Sequence, residues 1–366
     1  MVTFNELKLK YSNNDLLLFS LNEYGILWLK IKSILRKDII KDFLIINGII
    51  LQTTKLEDNF EELYGILSSD VIKSIDMIDK YCIYKFNDNL IDIKNIEKEL
   101  YKMKFFEWGG DYSNSLDKYF VTKYVKTKDI IPYNIITNNI GKDIQNSVLG
   151  YIVSSWYNYW SSVLIENIFK KQNFVVPAIG NIKNVDFFIK NIPFDLKVTI
   201  FPKGYMEKIR KDSNLKSEIS TLKNIAKKFN ISYDNNDDKN LQYEILERLK
   251  LIKNKEAKLE LLNFKNEQIK IINDTITNHK PLIKYLYENQ GDMRFGCENR
   301  IFIIVIDVND IYNSWKLKRN IELLEKPIKK YINNFNTNNL DKLRIDFIYK
   351  NKKYTTYSDI IFIINQ

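Results

Sequence analysis

Histidine is nearly absent from this sequence, in which His279 is the single example. Hydrolytic chemistries that need two histidines, as nucleophiles or as a base and a metal ligand, are therefore excluded. A zinc-bound hydroxide on a multi-histidine site is excluded for the same reason. A catalytic metal would instead rely on oxygen ligands, which suit Mg²⁺ or Mn²⁺.

Cysteine is also scarce, and Cys82 and Cys297 are far apart with no CxxC partner. This pattern indicates neither a disulfide framework nor a structural zinc site, and it predicts a protein of the reducing cytoplasm. The stretch from Met1 to Glu6 has no signal-peptide pattern. The sequence contains no GxxxxGK[ST] loop, so we do not expect ATP-driven translocation by this chain.

Glycine and proline number only 11 and 6 in 366 residues, which predicts long helices and strands. The length suits two domains. The formal charge of +10 favours a polyanionic partner, although the abundance of lysine, isoleucine and asparagine indicates that coding bias contributes to it. Residues 145–165 are free of charge, but their serines, asparagines and aromatic residues predict a buried amphipathic helix and no membrane span.

The most informative stretch is residues 185–199, where two apolar, β-prone runs flank Lys190-Asn191. This arrangement predicts a β-hairpin with a two-residue turn. In that register Asp186 faces Asp195, and Lys197 lies on the same face as Asp195 because side chains alternate along a strand. Like charges opposite one another destabilise a sheet, so a divalent cation between the carboxylates would explain the pattern.

Asp186, followed by Asp195-x-Lys197 on the next strand, resembles the motif of the restriction-endonuclease-like nucleases, the PD-(D/E)xK superfamily. In that family a helix with an acidic residue precedes the strands, and Glu166 fits that position. The resemblance covers roughly residues 147–307. It implies a nuclease fold and a metal-dependent active site.

The match departs from the family pattern in two ways. Val185 stands where proline is frequent, and only eight residues separate the two acids. The acid-x-Lys pattern also recurs at Glu6, Asp92 and Glu256, and Asp92 is the main rival because acids and a strand-like run lie upstream. Asp92 can, however, cap a helix. Only at Asp195 does the pattern fall on an apolar strand behind a hairpin turn.

The resemblance implies a Mg²⁺-dependent endonuclease, with Mn²⁺ as a substitute, that cleaves double-stranded DNA to leave 5′-phosphate ends. Asp186, Asp195, Glu166 and the carbonyl of Leu196 would hold the metal. Lys197 would orient the attacking water, lower its pKa and stabilise charge in the transition state. Glu166 either completes this site or pairs with a lysine on the surface of its helix.

The resemblance further suggests a type II restriction enzyme that acts as a homodimer, for which a DNA methyltransferase would be a cognate partner. A junction resolvase, a repair or phage-defence nuclease, and a catalytically inactive DNA-binding protein remain alternatives. Five side chains are candidates for contacts with DNA phosphates, although the sequence favours a solvated surface group for each of them: Lys203, Tyr205, Lys316, Lys318 and Arg319.

The predicted fold is α/β. A restriction-endonuclease-like mixed central sheet flanked by helices is expected over residues 140–366, with a helical insertion at about residues 203–290. The apolar run over residues 301–307 is typical of a strand buried on both faces. Pro177 predicts an edge strand or a bulge, and Ser314 is a candidate cap for the following helix.

Residues 1–139 are expected to form a separate α+β domain. Asn47-Gly48, with apolar runs on both sides, predicts a hairpin within it. A predicted helix from Ile93 to about Met103, followed by two strand-like runs within residues 105–126, has the element order of a winged-helix-like DNA reader, or of an ordinary helix packed on a hairpin. Three lysines would lie on the wing: Lys118, Lys123 and Lys126.

Overall fold

The computed structural model describes residues 2–104, 156–180, 182, 185–233, 241–289, 298–349 and 351–365. The chain divides into two compact units. The first contains Met1–Asp92, Ile165–Tyr205 and Ile271–Gln366, and the second contains Ile93–Leu164 and Met206–Lys270. This division differs from the predicted boundary between residues 139 and 140, because the N-terminal helices and the sheet belong to the same unit.

The described residues up to 104 form helices: α1 (Phe4–Ser12), α2 (Leu18–Leu21), α3 (Glu23–Ser33), α4 (Lys37–Asn47), α5 (Leu56–Leu67), α6 (Val71–Asp88) and α7 (Ile93–Leu100). The hairpin predicted at Asn47-Gly48 is therefore wrong. Gly48 has a φ of 62° and ends α4 in the left-handed conformation. A glycine with positive φ can end a helix as well as form a turn. Ile39, Ile40 and Phe43 are buried at helical spacing, which favours a helix over a hairpin here.

Among the described residues, six strands form one mixed sheet in the order β1-β2-β3-β4-β6-β5. They are β1 (Val175–Pro177), β2 (Phe187–Ile189), β3 (Ile192–Ile200), β4 (Arg300–Asp307), β5 (Arg344–Tyr349) and β6 (Lys352–Asn365). Strands β1, β2 and β3 are antiparallel, β3, β4 and β6 are parallel, and β5 is antiparallel to β6. The predicted mixed sheet is confirmed, with Pro177 on an edge strand and β4 buried in the centre.

The hairpin between β2 and β3 has the predicted turn. Lys190 and Asn191 have φ values of 46° and 71°, as a tight two-residue turn requires. Ile189 pairs with Ile192 across the turn. The alternation of β3 is thereby fixed from its first residue onward.

Helices pack on both faces of this hairpin. On one face, Phe169 of α8, the helix over residues 156–170, stacks on Phe187 with ring centroids 4.8 Å apart. The next residue along β2 points the other way, and the ammonium of Lys30 from α3 lies 4.6 Å from the centre of the Phe188 ring. The sheet is thus flanked by helices, which confirms the α/β class.

Two further described helices lie in the first unit: α13 (Lys280–Asn289) and α14 (Ile321–Asn334). Ser314 does not cap α14, because it lies inside a 3₁₀ helix and donates to the carbonyl of Ile311. The side chain of Asn320 caps α14 instead by accepting from the N–H of Leu323. Several residue types can cap a helix, so local sequence alone left this choice open.

The N-terminal helices are tied to the sheet by close backbone contacts. The N–H of Gly180 donates to the carbonyl of Ser33 at 2.7 Å, and a β-carbon on Gly180 would lie 2.4 Å from that oxygen. The amide of Asn299 donates to the hydroxyl of Ser20 at 2.7 Å and to the carbonyl of Pro193 at 3.1 Å. These contacts explain why residues 1–92 do not form a domain of their own.

The region predicted as a helical insertion is helical in its described residues. Its helices are α9 (Lys203–Asp212), α10 (Glu218–Lys228), α11 (Leu241–Leu251) and α12 (Lys255–Thr277), followed by α13. Inside the second unit, Glu218 is buried and accepts hydrogen bonds from Gln242 and Gln268.

Among the helices that the structure describes, none combines the length and apolar character needed to cross a bilayer.

Candidate active site

The centre of the candidate site is the pair Asp195 and Lys197 on β3. The ammonium of Lys197 lies 2.6 Å from Oδ1 of Asp195, so the predicted sharing of one strand face is confirmed. Asp195 is almost fully buried, whereas the Lys197 side chain is 32% exposed. Lys197 can therefore reach a bound molecule while Asp195 holds it in place.

Asp186 reaches this site from the end of β2, but not in the predicted manner. The described ladder ends at the pair Phe187 and Phe194, and the N–H of Asp186 donates to the carbonyl of Phe194 at 2.9 Å. Asp186 is therefore not a ladder partner of Asp195. Its carboxylate instead accepts from the N–H of Leu196 at 2.7 Å.

This hydrogen bond identifies the edge of β3 on which the site opens. The N–H of Asp195 bonds to the carbonyl of Asn299 at 2.9 Å, on the β4 side. Successive peptide groups alternate between the two edges of a strand, so the N–H and the carbonyl of Leu196 lie on the opposite edge. The pairing of β2 with β3 ends at Phe187 and Phe194, so no β2 residue is paired with Leu196 in the described ladder. The carbonyl of Leu196 thus shares an edge with the Asp186 carboxylate, as the metal-ligand hypothesis requires.

The charge balance at Asp186 is unfavourable for an ionised carboxylate. The pKa of Asp186 is raised to about 6, chiefly by burial and in part by the negative charges of Asp195 and Glu166. The N–H of Leu196 and the ammonium of Lys197 oppose the shift only in part. A cation bound beside Asp186 would offset the cost of ionising this buried carboxyl.

Of the two roles that the sequence left open for Glu166, the structure shows the pairing with a lysine, and it also places Glu166 close to Asp186. It lies on α8 and forms an ion pair with Lys170 one turn later, at the partly exposed surface of the helix. It also lies near enough to Asp186 to raise the pKa of that carboxyl. Glu166 therefore contributes charge to the site while its own carboxylate is bound to a lysine.

Sequence reasoning missed two residues, Arg300 and Glu298. The Nε of Arg300 lies 3.0 Å from Oδ2 of Asp195, and its Nη2 lies 2.9 Å from Oε2 of Glu298. The side chains of Arg300 and Glu298 are only 4% and 3% exposed. Burial raises the pKa of Glu298 to about 7, against the opposing charge of Arg300. Asp195 is thus held by two cations, Lys197 at one oxygen and Arg300 at the other.

The guanidinium of Arg300 makes a third contact, on the side of α13. It lies 4.7 Å from the ring centre of Tyr287. The Tyr287 hydroxyl is in turn within 2.6 Å of the Ser358 hydroxyl on β6. The only sequence signal for this network was the arginine at the start of an apolar strand. Its register against Asp195 was not available from the sequence.

The carboxylates have the donor set that Mg²⁺ uses, which typically binds one or two carboxylates, several waters and substrate phosphates. Asp186, Asp195 and the carbonyl of Leu196 supply such oxygen atoms. No cluster of three or more histidine, cysteine or acidic side chains suited to hold a metal occurs among the described residues. The residues therefore fit a cation completed by water and substrate, rather than one enclosed by protein ligands.

Two of the predicted phosphate-contacting residues are accessible. Lys203 is exposed at the start of α9. Lys316 is half-buried in the 3₁₀ helix, with its ammonium 5.6 Å from the ring centre of Trp315. Both can meet a phosphate without rearrangement.

The other three predicted phosphate contacts are less accessible. Tyr205 is 3% exposed and its ring packs 5.2 Å from the ring of Tyr285. Arg319 is 6% exposed. Lys318 is half-buried, and burial lowers its pKa to about 8. Tyr205 and Arg319 contribute to packing in this conformation. The lysines predicted for a wing, Lys118, Lys123 and Lys126, lie outside the described residues, as does Cys297.

The rival acid-x-Lys sequences all lie on or next to helices. Glu6 forms a capping box with Thr3 at the start of α1. Asp92 is exposed directly before α7. Glu256 pairs with Lys228 at 2.6 Å in a charged part of α12. Of these four sequences, all of which the structure describes, only the one at Asp195 lies on a strand next to a second acid.

Comparisons with protein-family models, with curated proteins and with solved structures give no match to this chain. Its function therefore has to be inferred from the geometry and chemistry of the residues described above.

Proposed function

We propose that this protein is a Mg²⁺-dependent endonuclease of the restriction-endonuclease-like fold that hydrolyses phosphodiester bonds in double-stranded DNA. The observation that carries the proposal is the convergence of Asp186, Asp195 and Lys197 at one open edge of β3. Glu166, on the helix that precedes the strands, adds its charge to the same site. The resemblance to the PD-(D/E)xK motif requires these elements in this order.

Each residue would have a distinct role in the reaction. Asp186, Asp195 and the carbonyl of Leu196 would hold the cation, which when bound supplies Lewis-acid activation of water and of the phosphate. Lys197 would orient the attacking water and stabilise negative charge that develops on the phosphate. Its ammonium is held by Asp195 and is partly exposed. A fixed positive charge at the site of charge development needs no reorganisation during the reaction.

The substrate and assembly follow from the same resemblance. A chain with a formal charge of +10 is attracted to a polyanion, and Lys203 and Lys316 offer accessible cations for its backbone. The proposed enzyme is a type II restriction endonuclease that acts as a homodimer and leaves 5′-phosphate ends. A cognate DNA methyltransferase would then protect the host DNA. A junction resolvase or a repair or phage-defence nuclease would use the same catalytic residues.

A second candidate function is DNA binding without cleavage. The observation that favours it is the double occupation of Asp195, whose two oxygens bind Lys197 and Arg300. If these contacts persisted with DNA bound, the carboxylate would be neutralised and would hold a metal poorly. The protein would then bind DNA on an inactive nuclease fold.

The deciding experiment is incubation of the purified protein with mixed phage DNA and Mg²⁺, followed by sequencing of the fragment ends. Defined cuts with 5′-phosphate ends that disappear in Asp186→Asn support the restriction-endonuclease proposal. Cleavage confined to branched DNA favours a resolvase. Tight DNA binding without Mg²⁺-dependent cutting favours the inactive DNA-binding protein.

A further inference from the structure

Glu298, immediately before β4, is a buried acid with an incomplete set of partners. Its side chain is 3% exposed, and Oε2 accepts from Arg300 at 2.9 Å. Oε1 accepts a hydrogen bond from no described residue, and Glu298 lines a small cavity together with apolar side chains such as Phe19 and Leu29. Burial of a carboxylate with so few partners is costly. Packing alone would be served better by an apolar residue.

The position of Glu298 is explained by the arginine that it shares with Asp195. One guanidinium bonds Asp195 through Nε and Glu298 through Nη2. Without Glu298, Asp195 would face the whole charge of both Lys197 and Arg300. That local excess of positive charge would repel a divalent cation from the carboxylate that has to hold it.

We infer that Glu298 is a positioning residue of the proposed active site. By binding one nitrogen of the Arg300 guanidinium, it holds Arg300 in place and offsets part of its positive charge. Asp195 thereby keeps a fixed orientation and enough negative charge to bind a divalent cation. This inference rests on the proposed function. The described side-chain hydrogen bond of Glu298 goes to Arg300, so Glu298 would act on the site chiefly through that guanidinium. The Tyr287 ring holds the same guanidinium from the α13 side, so Arg300 cannot simply turn away from the pair of acids.

The test is Mn²⁺ binding to the full-length protein without DNA, measured by calorimetry for wild type and Glu298→Gln. Partners that orient a metal ligand typically contribute 10–100-fold to metal affinity, so we expect Glu298→Gln to weaken Mn²⁺ binding by roughly tenfold or more. The Mg²⁺ concentration for half-maximal DNA cleavage should rise by a similar factor. Circular dichroism verifies that the variant is folded.

Glu218→Gln is the matched control. Glu218 is also 3% exposed and also a glutamate with a raised pKa, but its carboxylate bonds Gln242 and Gln268 in the second unit. We expect this substitution to leave Mn²⁺ affinity at the wild-type value. An equal loss in both variants would show a general effect of buried-charge removal and would overturn the inference.

The outcomes separate this inference from the proposed function. If wild type and Glu298→Gln bind Mn²⁺ equally well, Glu298 is only a buried ion-pair partner, and the nuclease proposal is unaffected. If wild type binds no Mn²⁺ and cuts no DNA, both proposals fail. Should Glu298→Gln not fold, Glu298→Asp decides. A loss of Mn²⁺ affinity of about threefold or more in Glu298→Asp supports the positioning role, because the shorter side chain draws Arg300 away from Asp195. Wild-type Mn²⁺ affinity in this variant contradicts the positioning role.

Discussion

The ammonium of Lys197 lies 2.6 Å from Oδ1 of Asp195, two residues earlier on the same strand, while the opposite oxygen of that carboxylate binds Arg300. Asp195 is therefore both a structural anchor and the proposed metal ligand. This double use leads to predictions that differ from those for an ordinary surface carboxylate.

Lys197→Ala should reduce the rate of cleavage far more than the affinity for DNA. A charge that stabilises developing negative charge contributes on the order of 10²–10³ in rate. Lys203→Ala, which removes an exposed lysine, should instead weaken binding and lower the salt-dependence slope by roughly one. Single-turnover cleavage at saturating enzyme, with DNA affinity measured in Ca²⁺ across a salt series, distinguishes them. A normal rate for Lys197→Ala would reassign it as a phosphate contact.

Asp195→Asn should abolish metal binding and cleavage, and it should also destabilise the fold. From the sequence alone this substitution is expected to relieve a like-charge pair and be tolerated. In the structure it removes a buried partner of Arg300, and breaking a buried ion pair typically costs about 3–5 kcal/mol. Glu298 still pairs with Arg300, so we expect a loss towards the lower end of that range. Chemical denaturation measures it, and a more stable variant would contradict the observed ion pair.

Asp186→Asn should stabilise the protein in a pH-dependent manner. Below about pH 4 the carboxyl is protonated in the folded and unfolded chain alike, so it makes no difference there. Between about pH 4 and pH 6 the unfolded chain releases this proton while the folded protein, in which the pKa of Asp186 is raised to about 6, retains it, so the folded protein loses stability relative to the unfolded chain over this range. A pKa difference of one corresponds to about 1.4 kcal/mol, so the asparagine variant should gain at most about 3 kcal/mol above pH 7.

The measurement for Asp186→Asn is urea denaturation of wild type and variant between pH 4.5 and pH 8 without divalent cations. The difference in free energy of unfolding should grow from pH 4.5 to about pH 6 and then level off, because Asp186 is ionised in both states at higher pH. A constant difference across this range would mean that Asp186 does not titrate as described.

Cleavage should require Mg²⁺ or Mn²⁺ and should fail with Ca²⁺ alone. The candidate ligands are hard oxygen atoms, and the reaction needs a tightly held, activated water. Plasmid cleavage with each cation, and with excess EDTA, gives the result directly. Full activity in EDTA would refute a metal-dependent mechanism.

Local sequence predicted the elements whose conformation depends on neighbouring residues. Lys190-Asn191 between two β-prone runs gave the hairpin turn, and the period of two placed Asp195 and Lys197 on one face. The apolar run of β4 gave a central buried strand. At Asn47-Gly48 local sequence failed, because positive φ at Gly48 ends α4 as readily as it would form a turn.

Only the tertiary structure determined what surrounds these elements. Arg300 meets Asp195 across 105 residues of chain because β3 and β4 pair in parallel in one register. That register depends on the fit of many side chains between distant segments, which no local pattern encodes. The same holds for the N-terminal helices, which join the sheet through contacts such as Gly180 with Ser33. The sequence by itself determined which acids and which lysine share a hairpin, and the packing of distant segments determined which charges they meet there.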